Sequence, residues 1–476
     1  MTVARVFAVA VGYALNVYLA RSLGPESFGL FATVLTVLTW LELAVAEGLP
    51  PWVIRIVDRE ETGPLVPPAY VWGQLALSVV LMAGLFLAAP LLASAFGQPA
   101  AALFFRVAAI DIPIFALYNL FIGVLIGTRQ YGLQTLSTSG YSLVKLLATV
   151  VFVGAGLSVL GAVLGGVVAS VGGLVLTIGA AMLFLRGRPL VGEVQLADVE
   201  DSGLAEATKG GVLAGSVIPA VLLAAQQLSL SADLWLVKAM LPPDRAGFYR
   251  AASLVAQVPL TLSAGIVWSL YAEYSDAQRR GDTARQSRYL TQIARLVVAA
   301  AGLCIAVVVP TAGALLNTIF SRAYEGGSMV LVVLITGISL GGLAIAFAPI
   351  AILEGHGWTV LPVAVGLVGT EIAASVFLIG RLGLVGAAIP VAVAFTLGSV
   401  AVGLAFRHRF KLTLGQLAQL IVPAVVVGGV GIFVHPAPGL QLVVYYVLAV
   451  AVFGGLLFAT GGLTLRDIAE FREEMR

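Results

Sequence analysis

Apolar runs of about twenty residues follow one another along the whole chain, and a run of that length with few charges reads as a helix that crosses a bilayer. Fourteen are legible in the 476 residues, at roughly 3–22, 27–50, 68–90, 102–126, 134–156, 160–185, 211–237, 246–271, 290–312, 328–352, 359–380, 384–406, 416–434 and 440–462. Charged residues make up 11% of the sequence, against roughly 25% in a soluble chain. The expected fold class is therefore an all-α polytopic membrane protein with about 14 transmembrane helices. The first run is read as a retained helix, since more spans follow and no small-x-small cleavage site closes it.

The runs fall into two related sets. Leu23-Gly24-Pro25-Glu26-Ser27-Phe28-Gly29, between the first two runs, returns in degenerate form as Leu241-Pro242-Pro243-Asp244-Arg245-Ala246-Gly247. Each stretch has the chemistry of a tight turn between helices. Arg21 and Lys238 sit before the turn, where a cation opposes the helix C-terminus. A proline then fits the first turn of the next helix, and Glu26 or Asp244 brings a carboxylate to its positive N-terminus. Two more pairs recur at similar spacing: Leu157–Ala162 with Leu382–Ala387, at an offset of 225, and Gly127 with Gly355, at 228. An internal repeat of this length makes the chain two halves. Six spans per half is an even number, so the lobes are parallel, related by an axis along the membrane normal.

The expected domains are a six-helix lobe at 1–185, a cytoplasmic linker at 186–210, a second six-helix lobe at 211–407, and two extra helices with a charged tail at 408–476. Placing the N-terminus inside puts eighteen Lys and Arg on the cytoplasmic side and seven on the outer side. This bias sets both termini inside.

A first span ending in Ala20-Arg21-Ser22-Leu23-Gly24-Pro25-Glu26-Ser27-Phe28-Gly29, with Ala246-Gly247-Phe248-Tyr249 before span eight, resembles the polysaccharide-transporter family. These are the O-antigen and lipid-linked oligosaccharide flippases of the multidrug/oligosaccharidyl-lipid/polysaccharide exporter superfamily. The basic segment Tyr271–Arg288, and Ile319-Phe320 with Tyr324, fit the same pattern. The resemblance implies two six-helix lobes around a central cavity in the cytoplasmic (inner) membrane. It implies alternating access that carries a polyprenyl-phosphate- or pyrophosphate-linked glycan from the inner to the outer leaflet. The implied partners are that glycan, membrane lipids, and the glycan polymerase and glycosyltransferases that act on it.

Ionisable groups inside spans are costly and are functional candidates by default. Lys145 in span five and Glu371 in span eleven lie at near-equivalent depth, since an offset of 228 carries Lys145 to position 373. If both face the cavity, Lys145 binds a phosphate and protonation of Glu371 releases it; the competing reading satisfies each within its own lobe. Asp111 lies about ten residues into span four, roughly 15 Å deep, and Pro113 removes a backbone hydrogen bond beside it. It is the stronger buried proton or ion site, with Glu42 in span two a further candidate. Glu42 and Glu47, like Arg106 and Asp111, are five residues apart, about 140° around a helix, so neither pair shares a face. Glu47 is read as a structural partner of Arg55. Arg21, Lys238 and Arg106 join Lys145 as candidate substrate contacts. For Arg21 and Lys238, capping their own helices is the alternative; for Arg106 it is snorkelling to the interface. Gly123-x-x-x-Gly127 and Gly161-x-x-x-Gly165 suit close helix packing.

No catalytic residue is assigned, because no nucleophile, base and oxyanion arrangement is visible and the chain is not expected to be an enzyme. The single Cys304 and three scattered histidines exclude a disulfide framework within the chain and argue against a metal site. No cofactor is implied beyond coupling to H+ or Na+. A net charge of +2 argues against a nucleic-acid partner. A cation-coupled multidrug antiporter of the same superfamily is the runner-up; it would prefer an acidic cavity and commonly has twelve spans. A membrane glycan polymerase or ligase ranks third, for want of a sizeable outer loop.

Overall fold

A computed structural model describes residues 2–46, 50, 66–184, 221–409 and 413–462. The linker, Glu47, Arg55, Lys411 and the charged tail lie outside these residues. Every element among the described residues is helical.

The chain divides into two units, Met1–Ser216 with Pro242–Gly247, and Val217–Leu241 with Phe248–Arg476. Unit 1 contains α1 (Thr2–Ala46), α2 (Pro68–Ala95), α3 (Ala102–Gly127), α4 (Tyr131–Phe152) and α5 (Ser158–Phe184). Unit 2 opens with a helical stretch at 221–229 and continues through α6 (Ala232–Met240), α7 (Pro243–Ala256, whose first residues belong to unit 1), α8 (Val258–Arg279) and α9 (Thr283–Val308). There follow α10 (Ala312–Ile319), α11 (Ser328–Leu340), α12 (Gly342–Leu353), α13 (Gly357–Leu382), α14 (Leu384–Phe406), α15 (Leu414–Val434) and α16 (Leu440–Ala459).

Eleven helical runs among the described residues are long and apolar enough to cross a membrane. Two of them are too long for one crossing. Phe7–Ala46 has 40 residues and Tyr131–Leu183 has 53, about 60 and 80 Å at 1.5 Å per residue, against a hydrocarbon core of about 30 Å. Both are broken. Gly24 takes φ 73°, ψ 172° inside α1, a conformation open to glycine, and Pro25 restarts the helix. Between α4 and α5 a π turn, Val153–Leu157, ends in Gly156 and Ser158 with positive φ. The count of fourteen also includes 211–237, whose first part lies outside the described residues. Phe433 is 88% exposed, Leu440 78% and Leu87 76%; such bare apolar side chains on α15, α16 and α2 suit a lipid surround.

The repeat is visible in backbone detail. After α3, Gln130 N–H bonds to Leu125 O and Arg129 N–H to Ile126 O, with Arg129 at φ 58°. After α12, His356 N–H bonds to Ala351 O and Gly355 N–H to Ile352 O, with Gly355 at φ 80°. Both are one left-handed helix cap. The residue matching Gly355 is thus Arg129, not the sequence-matched Gly127, which is the last residue of α3. The offset is 226 (355 − 129). At the far end of the next helix, Ser158 (φ 49°, ψ −130°) matches Gly383 (φ 60°, ψ −134°), an offset of 225. The π turn accounts for the difference, because the first copy holds one residue more than α13.

Helix contacts repeat too. A Cβ on Gly173 would meet Tyr141 and Tyr118, and one on Gly398 would meet Leu367 and Ala344. Adding 225 to the glycine and 226 to its partners converts the first set into the second. Within unit 1, Gly161 and Gly165 pack closely, with added Cβ atoms 2.8 Å from the Phe152 carbonyl carbon and 2.2 Å from Thr149 Oγ1. In the same unit the turn motif meets its copy, since a Cβ on Gly247 would lie 1.9 Å from the Pro25 carbonyl oxygen.

In unit 2, Val267, Leu270 and Tyr274 of α8 pack with Ile293 and Val297 of α9 and Phe347 of α12. Helices α15 and α16 bury Leu420, Val427, Tyr445 and Phe453 against Ala299 and Ala306 of α9, so they belong to this unit. Below the spans, Glu354 accepts hydrogen bonds from Tyr274 and Arg409, and His356 Nδ1 lies 3.7 Å away. Burial, then the Glu354 carboxylate, push the Tyr274 phenol up from its ordinary range. Ser287 donates to the Arg409 carbonyl at 2.6 Å. This fastening ties the ends of α8, α9, α12 and α14.

Candidate functional site

A charged side chain at mid-bilayer costs about 2.5–3.5 kcal/mol even on the lower scales, so such groups pair or face water. Among the described residues each unit holds a cluster where they pair. In unit 1 the members come from four helices. Glu42 of α1 and Asp111 of α3 face one another, and Lys145 of α4 stands in electrostatic range of both. Tyr141, one turn before Lys145, turns its ring to the ammonium, with Nζ 5.6 Å from the centroid. Ser170 of α5 lies beside Asp111. The α5 backbone passes beside Asp111, where a Cβ on Gly166 would lie in ordinary contact, 4.0 Å from Asp111 Oδ2. Asp111 is 2% exposed and Ser170 fully buried, while Glu42, Tyr141 and Lys145 are partly exposed.

In unit 2, Ser229 Oγ donates to Glu371 Oε2 at 2.5 Å. Asp233 of α6 accepts from Tyr249 Oη at 2.6 Å and from its neighbour's backbone, Leu234 N, at 2.7 Å. The two carboxyls are close enough to interact, and both side chains are buried. Ser375, one turn after Glu371, is buried with no hydrogen-bond partner for its hydroxyl among the described residues. At the offset of 226 that precedes the π turn, Lys145 falls on Glu371 itself, not two residues away. The pair has one position and opposite charges, and each member finds partners inside its own unit.

Arg106 is exposed and lies over the Phe86 ring, 5.2 Å from its centroid. Arg21 is exposed on α1. Lys238 lies in the last turn of α6 and is buried, and Asp244 stands in the first turn of α7. Glu26 accepts from Gln98 at 3.2 Å. Spacing along one helix hides the meeting of Glu42 with Asp111, because the partners sit on different helices. Asp233, Tyr249, Ser229, Tyr141 and Ser170 also escape a search for charged pairs. The readable signal is Ser229-x-Ser231-x-Asp233, a polar string within an apolar run.

The chain matches solved structures over most of its length. It aligns with the lipid II flippase MurJ in an inward closed conformation at a TM-score of 0.73, covering 98% of this chain and 99% of that one at 11% identity. It aligns with an inward-facing multidrug resistance MATE family transporter at 0.67, covering 86% and 94% at 15% identity. At these identities the likeness is one of fold: a multi-pass helical membrane protein of the MurJ and MATE type. A curated relative, the succinoglycan biosynthesis transport protein ExoT of Rhizobium meliloti (strain 1021), is 34% identical over 96 residues; this covers 20% of the chain and about a fifth, 19%, of the relative's length. The family model described as polysaccharide biosynthesis protein matches residues 1–271. With more than half of its residues under that model, the chain belongs to the polysaccharide biosynthesis protein family.

Proposed function

We propose that this chain is a flippase, a transporter and not an enzyme, that carries a lipid-linked oligosaccharide or polysaccharide precursor across the cytoplasmic membrane by alternating access. Membership of the polysaccharide biosynthesis family carries the reading. The fold shared with a lipid II flippase and the transport title of the succinoglycan relative support it. The cargo is a polyprenyl-phosphate- or pyrophosphate-linked glycan whose tails stay in lipid while its head crosses a polar path. Lys145 takes the phosphate, Arg21, Lys238 and Arg106 draw the anionic head toward the path, and Glu371, Asp111 and Glu42 couple the step to H+ or Na+. Both termini are cytoplasmic, where glycosyltransferases build the cargo; a glycan polymerase receives it outside.

The test is deletion of the gene followed by lipid extraction. Accumulation of a polyprenyl-linked glycan on the inner leaflet with loss of surface polysaccharide, reversed by wild type and not by Lys145→Ala, is the expected result. No accumulation, with altered sensitivity to cationic drugs instead, favours the antiporter reading that the multidrug transporter fold keeps open.

A further inference from the structure

We propose that Lys145 is a tethered cation: its ammonium fills a cation site in unit 1 formed by Glu42, Asp111, Tyr141 and Ser170, and removing it opens the site to a monovalent alkali ion. Three observations carry this. First, the donors are of one kind. Two carboxyls, a phenol and a hydroxyl offer hard oxygen atoms, the ligands that bare cations of the first groups take. Second, the amine stands among them. Lys145 is in electrostatic range of Glu42, Asp111 and the Tyr141 phenol, and its Nζ lies 5.6 Å from the Tyr141 ring centroid.

Third, oxygen atoms here remain unspent. Asp111 Oδ1 is buried and has no hydrogen-bond partner among the described residues, and the same holds for Thr149 Oγ1 next along α4. Asp111, Ser170 and Thr149 are 2%, 0% and 1% exposed. Thr149 is one turn beyond Lys145, so Tyr141, Lys145 and Thr149 form one stripe along α4 at i, i+4 spacing. An ammonium donates three hydrogen bonds from a point charge; a spherical ion of the same charge needs several oxygen atoms around it, and Asp111 Oδ1 is a spare one beside the Glu42, Tyr141 and Ser170 oxygens. Shortening the side chain to alanine removes the tethered amine and three of its four stem carbons, leaving room for an ion. The lost charge is +1, which sets the class of replacement as monovalent.

The bearing on transport rests on the flippase reading: with the site already filled, the proton is the coupling ion left for this cluster, and Na+ coupling falls to Glu371. The site itself stands without that reading, and its test needs no cargo. Full-length protein in detergent is melted in NaCl, LiCl, KCl or choline chloride at one ionic strength, as wild type, Lys145→Ala and Lys145→Ala/Glu42→Gln/Asp111→Asn. Wild type should melt at the same temperature in all four salts. Lys145→Ala should gain about 2–5 °C in one of the alkali salts over choline, or be recovered folded only there. The triple variant should lose that gain. A Lys145→Ala protein that behaves alike in all four salts, folded or unfolded, overturns the proposal, as does a gain that survives in the triple variant or that only a divalent ion produces.

Discussion

Lys145 and Glu371 occupy one position of the repeat and carry opposite charges. The cap after α3 matches the cap after α12 at an offset of 226, which takes residue 145 to 371. A duplicated helix thus holds a cation in one copy and an anion in the other. Each copy recruited its own neighbours: acids around the lysine, a serine hydroxyl on the glutamate.

The lysine's partners predict a coupled energy. Lys145→Met alone should destabilise the protein by about 3–5 kcal/mol, because it strands the buried Asp111 beside Glu42. Adding Glu42→Gln should cost less than the sum of the two single changes, by about 1–3 kcal/mol. A double-mutant cycle on thermal or chemical unfolding in detergent measures this coupling.

Transport should respond differently. Glu371→Gln and Asp111→Asn keep the side-chain shape and remove the titratable proton, so folding and glycan binding should persist. In inverted vesicles the dependence of translocation on an H+ or Na+ gradient should fall at least tenfold for the residue that couples. Unchanged ion dependence in both variants would remove these two residues from the coupling path.

The turn before α5 predicts a gain. Ser158 holds φ 49°, ψ −130°, where its counterpart is Gly383. Ser158→Gly should raise stability, because strain of about 1–3 kcal/mol at such a residue outweighs the added chain entropy of glycine, up to about 1 kcal/mol. Gly383→Ser should lower stability by a similar amount. Paired melting curves of the two variants read both signs.

The fastening below unit 2 predicts a loss away from the buried clusters. Glu354→Ala removes the acceptor shared by Tyr274 and Arg409. Hydrogen bonds to a charged group contribute about 1.5–3 kcal/mol each, reduced here because Arg409 is half exposed. A net fall of about 2 kcal/mol in unfolding free energy should follow, with cleavage near residues 354–357 by an added protease rising in step.

Much of the fold can be read from the sequence, because a bilayer leaves few choices. Apolar length gives the spans, and Pro25 after Gly24 marks a break that a hydropathy window misses. The repeat is legible through Leu157–Ala162 and Leu382–Ala387, within which Ser158 and Gly383 share one backbone conformation. The register inside the repeat is not. A match of Gly127 with Gly355 is off by two, because Arg129 tolerates the left-handed cap and sequence comparison prefers glycine on glycine. For the clusters, the rule that charges within spans are exceptional singles out Lys145, Glu371, Asp111 and Glu42. Their grouping depends on which helix faces which, and no spacing along one helix encodes that. Asp233 and Tyr249 show the same limit: sixteen residues and a helix break separate two groups joined by a 2.6 Å hydrogen bond.

The π turn at Val153–Leu157 also takes up a difference in length. One residue inserted into an α-helix rotates all that follows by about 100°, which would have turned Gly173 away from Tyr118 and Tyr141. Widening a single turn absorbed the insertion, so the glycine in each half still meets the same two partners. Between the two caps the copies differ by this one residue, and the widened turn takes it up without changing the packing beyond. Deleting one residue from 153–157 would give this stretch the length of α13.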